Sequence, residues 1–153
     1  MNLQDSFGLN INLILWCLWS GDNFSEPDEI VIRKAKDLSD QWSSCVVEPM
    51  RAARRALKSK AGSDAASLYD EMKAIELKGE KVEQEMLEQL SLEALAPAKD
   101  GGTNRARRIL ASYVRLTDAA RRPGFSVSLL EDLIETILPP AEDTSRNTEI
   151  RTS

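Results

Sequence analysis

Apolar residues recur at three- and four-residue intervals along most of this chain, the period of helices with one buried face. Alternating runs that would mark strands are scarce. The pattern predicts an all-α fold: five or six helices in an irregular antiparallel bundle, with one long helix near 65–94. The first helix spans Asn12 to Trp19, capped by Asn12 and stopped by Ser20-Gly21. It is apolar on nearly every side, so it belongs in the middle of the bundle or under an oligomer interface. Ser25, Pro27 and Asp28 mark the next start. From there Val31, Ala35, Leu38, Trp42 and Cys45/Val46 form one face.

Pro49 cannot donate its backbone hydrogen bond, so either a kink or a new helix begins there and continues to about Lys58. Ala61-Gly62-Ser63-Asp64 reads as a turn with a cap. The long helix, Ala65 to Ala94, carries an apolar seam of Leu68, Met72, Ile75, Gly79, Val82, Met86 and Leu90. Gly79 in that seam points to close approach of another backbone, or to a kink. Glu71 borders the seam on one side, Glu76 and Glu83 on the other. Pro97 to Thr103 is a loop. A helix over Asn104–Arg121 turns Ala106, Ile109, Leu110, Tyr113, Leu116 and Ala120 inward. Pro123-Gly124 breaks it. Ser126 caps a last helix with Val127, Leu130, Leu133, Ile134 and Ile137 on its apolar face, and Pro139-Pro140 ends that helix. Residues 1–140 read as a single helical domain and 141–153 as a disordered polar tail.

Charge gathers most sharply at Trp42 to Lys58. Arg51, Arg54, Arg55 and Lys58 share one helical face, beside the apolar Met50, Ala53 and Leu57. Like charges four apart, such as Arg51 and Arg55, destabilise an isolated helix by about 0.2–0.5 kcal/mol. The counter-charge is either internal or a ligand's. An antiparallel long helix would bring Glu76 to Arg51, and Glu71 to Arg54 or Arg55. Alternatively the four cations form an anion or partner contact, since arginine forks suit carboxylates and phosphates, or a plain solvated face. A second basic group, Arg105, Arg107, Arg108 and Arg115, ends in Arg121-Arg122, where cations suit a helix C-terminus.

Composition narrows the chemistry. The 153 residues carry a net charge of −5, which disfavours a dedicated nucleic-acid binder. There is no histidine. Ser-His and Cys-His pairs, His-ligated metals and the Glu-x-x-His di-iron pattern are excluded. No catalytic residue, cofactor or metal ligand stands out. Cys17 and Cys45 sit in apolar helical patterns and read as reduced core thiols. The longest apolar run, Leu9 to Trp19, is too short to span a bilayer. A cytoplasmic location follows as the expectation.

Two blocks carry a family resemblance. Leu3 to Trp19, L-Q-D-S-F-G-L-N-I-N-L-I-L-W-C-L-W, resembles a signature L-Q-x-x-x-G-x-x-V-N-L-L-L-F-C-x-W. Trp42 to Lys58 is similar to W-x-x-x-V-V-x-P-L-R-x-x-R-R-x-L-K. Both belong to an uncharacterised family of small helical proteins from Gram-negative bacteria. The resemblance implies a helical fold and no assigned reaction, cofactor or partner. It also implies a further upstream helix. Without that helix, apolar residues of the first block would be uncovered and favour a dimer or poor solubility.

The sequence thus points to a protein of unknown function, with a non-enzymatic protein-interaction or adaptor role as the expectation. The alternative is a binder of a small anionic or apolar ligand in an inter-helix pocket. An enzyme comes third. Its partner would be another protein, or a second copy meeting it through the apolar N-terminal region.

Overall fold

Asn10, not Asn12, starts the central helix. In the computed structural model, which describes residues 3–60 and 62–137 without the side chain of Ser63, a short helix α1 (Leu3–Phe7) precedes α2 (Ile11–Asn23). The Asn10 side chain accepts from the backbone N–H groups of Asn12 and Leu13. Asn12 is freed to point inward. Nor does Ser20-Gly21 stop the helix. Gly21 lies inside α2, where the backbone of Ala106 leaves no room for a side chain: a Cβ there would fall 2.4 Å from the Ala106 Cα. The glycine that looked like a terminator is a packing site.

Asp28 caps α3 (Glu29–Trp42) by accepting from the Val31 N–H. Pro49 falls in the first turn of a new α-helical segment, one of the two expected outcomes. The turn before it widens to a π-helical segment, Ser43–Val47, in which the Glu48 N–H donates to the Ser43 carbonyl. Helical dihedrals continue through this turn into α4 (Glu48–Lys58). A wider turn accommodates a residue that offers no N–H. It also changes the phase of the helix. Cys45, expected in the core, is exposed, whereas Cys17 is buried.

The long helix α5 covers Ser63–Ala94, about 48 Å at 1.5 Å per residue. Its inward line is not the expected seam. Glu76, Gly79, Glu83, Leu87 and Ser91 are buried, while Leu68, Ile75 and Val82 are exposed. The true line is turned by roughly 70° from the apolar one. Gly79 does mark a close approach: an added Cβ would lie 2.6 Å from the Met50 Cε, and the Gly79 carbonyl accepts from the Trp42 indole N–H.

Helix α6 (Thr103–Arg115) ends earlier than the pattern implied. The Thr117 hydroxyl donates to the Val114 carbonyl and accepts from the Ala119 N–H, drawing the chain into a 3-10 turn, Ala119–Arg121. The phase slips by one residue, so Ala119 is buried and Ala120 exposed. In α7 (Val127–Ile137), Leu130 and Ile134 are buried and Val127 is exposed. The proposed stop at Pro139-Pro140 and the polar tail lie outside the described residues.

The described part of the molecule is all-α, with neighbouring helices mostly but not all antiparallel. The Gly79 contacts with Trp42 and Met50 run α3 and α4 antiparallel to α5. Gly21 against Ala106 and Asn10 against Tyr113 do the same for α2 and α6. Asn12 meets Glu83 and Trp16 meets Ser91, so α2 runs parallel to α5. One apolar cluster joins α1, α2, α3, the second half of α5, α6 and α7. Helix α4 contributes nothing to it. No described helix is long and apolar enough to cross a membrane.

Candidate functional site

The arginine face of α4 meets a carboxylate from α5. Arg51 Nε donates to Glu76 Oε1 at 2.9 Å. Its Nη1 reaches Glu48 at 2.7 Å and Gln4 at 3.2 Å, and its Nη2 reaches Glu80 at 3.1 Å. Arg54 Nε donates to the other Glu76 oxygen, and Arg54 Nη1 to the Tyr69 hydroxyl at 3.2 Å. Arg54 also lies 5.7 Å from the Tyr69 ring centroid, a cation–π distance. Glu76 is thus clamped between two guanidinium groups and buried. Burial opposes its ionisation, but the hydrogen bonds and charges of Arg54 and Arg51 prevail and hold its carboxyl below the usual range. For Arg51, burial is likewise outweighed by Glu76, Glu48 and Glu80; for Arg54, the Glu76 hydrogen bond leads. Both are raised.

The other candidates are less engaged. Arg55 lies 3.8 Å from Asp5, both being exposed. Lys58 makes no ion pair among the described residues, and neither does Glu71, which is exposed. Five residues separate Glu71 from Glu76, about 140° around the helix, so only Glu76 can face α4. An open cleft of about 600 Å³ fronts the arginines, lined by Leu3, Gln4, Ile11, Arg55 and the Arg51–Glu76–Arg54 clamp. The Arg51 and Arg54 forks that could grip an anion there already meet carboxylates.

A second polar centre was missed by sequence reasoning. Glu83 is 1% exposed at the N-terminus of α2. It accepts from Asn10 Nδ2 at 2.8 Å, Asn12 Nδ2 at 3.1 Å and the Ser39 hydroxyl. No cation contacts it among the described residues. Neutral donors and the positive end of α2 do that work. Asn12 in turn accepts from Gln84 at 2.8 Å, and the Asn10 N–H donates to the Tyr113 hydroxyl at 2.9 Å. Burial pushes the Tyr113 hydroxyl well above its ordinary range, so it stays neutral. The signal existed: two asparagines open an otherwise apolar helix, and buried amides need partners. A gap of about 10 Å³, room for roughly one water, lies between Glu83 and Arg51 and links the two centres.

A groove between α2 and α5 is lined by Asn12, Leu15, Trp16, Trp19, Gln84 and Glu88, with a volume near 190 Å³. That is below the roughly 300–1,000 Å³ typical of small-molecule sites. No group of three or more metal-ligating side chains occurs among the described residues. The buried Cys17 thiol is pushed up by desolvation and is poorly nucleophilic.

A family model described as "Protein of unknown function (DUF2390)" matches residues 1–87, more than half of the chain. The chain belongs to this family. The matched DUF2390 region holds both carboxylate centres apart from Tyr113, and it stops at Leu87, before α6. Comparison with curated proteins and with solved structures finds no match.

Proposed function

We propose that this DUF2390 protein is a non-enzymatic interaction protein whose docking surface is the outer flank of the α4–α5 hairpin. One observation carries this reading: α4 is strongly amphipathic, yet none of its residues is fully buried. Its arginine flank is occupied by Glu76, Glu48 and Glu80. Its apolar flank has Pro49 and Ala53 exposed and Val46, Met50 and Leu57 half-buried. Contiguous exposed apolar surface on a folded protein marks a contact site. The arginines act in this reading as struts that fix the hairpin, not as the contact itself.

The test is affinity purification from the native cell with the wild type, Ile75→Glu and Arg55→Ala. Ile75 is exposed, so its replacement leaves the fold intact. Loss of bound protein with Ile75→Glu alone is expected. Equal recovery by all three would sink the reading.

The ligand-binding alternative rests on the Trp16/Trp19 groove. Its small volume supports an apolar side chain or fragment better than a metabolite.

A further inference from the structure

Matching flanks of two antiparallel helices lie on the same side of the pair. Arg51 reaching Glu80 defines one side of the α4–α5 hairpin, the side toward α1 and α2. The opposite flanks therefore coincide as well. On α4 this is the Val46, Pro49, Ala53 and Leu57 line; on α5 it is Leu68, Ile75 and Val82. The α5 residues are 47%, 47% and 38% exposed. None of these seven belongs to the core cluster or packs against it. The hairpin thus presents a two-helix apolar face on which Pro49, Ala53, Leu68, Ile75 and Val82 are exposed and Val46 and Leu57 half-buried.

Resting on the docking surface argued above, we propose that its occupant is a second copy of this chain, the two hairpins closing face to face into a four-helix bundle about a two-fold axis. The register comes from spacing and charge. Leu68 and Val82 each lie seven residues from Ile75. An axis level with Ile75 sets Ile75 against its symmetry mate and Leu68 against Val82 of the second copy. The contacts of Met50 with Gly79 and of Arg54 with Glu76 place Ala53 at nearly the same level on α4. Its small side chain lets the two α4 helices approach.

On the outer rim of α5, Glu71 lies four residues before Ile75 and Lys78 three after. At 1.5 Å per residue, Glu71 and the other copy's Lys78 come level within about 1.5 Å along the axis, and symmetry makes two such pairs. Both residues are exposed and neither makes an ion pair within the described chain. At the ends, Asp64 comes level with Glu85 of the other copy. Glu85 already has Lys81 at 3.9 Å, which offsets that repulsion. The face is about 20 Å long and two helix diameters wide. It covers on the order of 400 Å² per copy before side chains interdigitate, about half the area of a standard specific interface. The dimer is therefore weak and concentration-dependent.

Sedimentation equilibrium of the full chain, over a range of concentrations and at low and high salt, tests this. The wild type should rise from its 17.0 kDa monomer mass toward twice that value. Ile75→Glu should stay monomeric. Glu71→Lys or Lys78→Glu alone should weaken association by roughly tenfold, as two attractive pairs become repulsive. The double swap should restore it. A wild type monomeric at its highest soluble concentration overturns the proposal, as does a dimer indifferent to Ile75→Glu. Should self-pairing fail in this way while Ile75→Glu still loses a protein that the wild type recovers from cells, the docking surface stands with another occupant. Should both measurements show no change, the surface reading falls too.

Discussion

Glu76 is the residue on which the α4–α5 hairpin turns. Its two oxygens meet two half-buried arginines, so removing it leaves both without their shared partner. Glu76→Ala is expected to lower unfolding free energy by about 2–4 kcal/mol in urea titration, since stranding part-buried charge costs more than losing a surface pair. The same residue gives a pH dependence. Its carboxyl titrates below the ordinary 4.5 in the folded state. The folded protein therefore binds that proton less readily than the unfolded chain. Its stabilising contribution is complete above about pH 4.5 and is lost as the pH falls through the lower folded value. Glu76→Gln should flatten the acid limb of a stability profile. An unchanged limb would mean other carboxylates govern it. Glu83 differs because its partners are neutral. Glu83→Leu strands the donors of Asn10, Asn12 and Ser39 and should cost about 3–5 kcal/mol by thermal or urea denaturation. Neither centre was fully readable beforehand. Charge pattern disclosed Arg51 and Glu76, because like charges on one helix demand an answer. Glu83 was hidden because a buried carboxylate breaks the apolar periodicity used to find buried faces.

Two glycines show how much of an element's role depends on what lies across from it. Gly79→Ala crowds the mobile end of Met50, meets Val46 and Val47 only at ordinary contact distance, and gains helix propensity worth about 1 kcal/mol, so it should be near neutral or slightly stabilising. Gly21→Ala meets the backbone of Ala106 and must part α2 from α6; a loss of about 2–4 kcal/mol is expected. Melting temperatures of the two variants, measured side by side, check the contrast. The sequence reading put Gly21 at a helix end and Gly79 in a helix middle. The first placement failed because a terminator and a small packing residue have the same composition. Periodicity found every long helix, since their spacing exceeds any turn's influence. It misjudged ends and phases where a local bond intervened: the Asn10 cap, the π turn before Pro49, the Thr117 hydroxyl. On α5 it chose the more apolar line, of which Leu68, Ile75 and Val82 are exposed.

Across the whole molecule, two parts differ in how they are held. The hairpin is fastened by ion pairs and one glycine contact; the remainder is fastened by the apolar cluster and the Glu83 centre. High salt should therefore loosen hydrogen-exchange protection in α4 before it does so in α2 or α6. Uniform loss would show that the hairpin is not a separate cooperative unit. The matched family region ends at Leu87, yet Ile109, Leu110 and Tyr113 complete the surroundings of α2. A fragment of residues 1–87 should accordingly lack a cooperative melt.

The Asn10–Tyr113 bond spans 103 positions of chain. During synthesis at about 5–20 residues per second, Asn10 waits roughly 5–20 s for its partner. Throughout that interval α2, apolar nearly all round, has no α6 to lie against. The nascent protein therefore passes through a sticky adolescence, and a chaperone holding the early chain should raise its soluble yield more than slower growth or lower salt does.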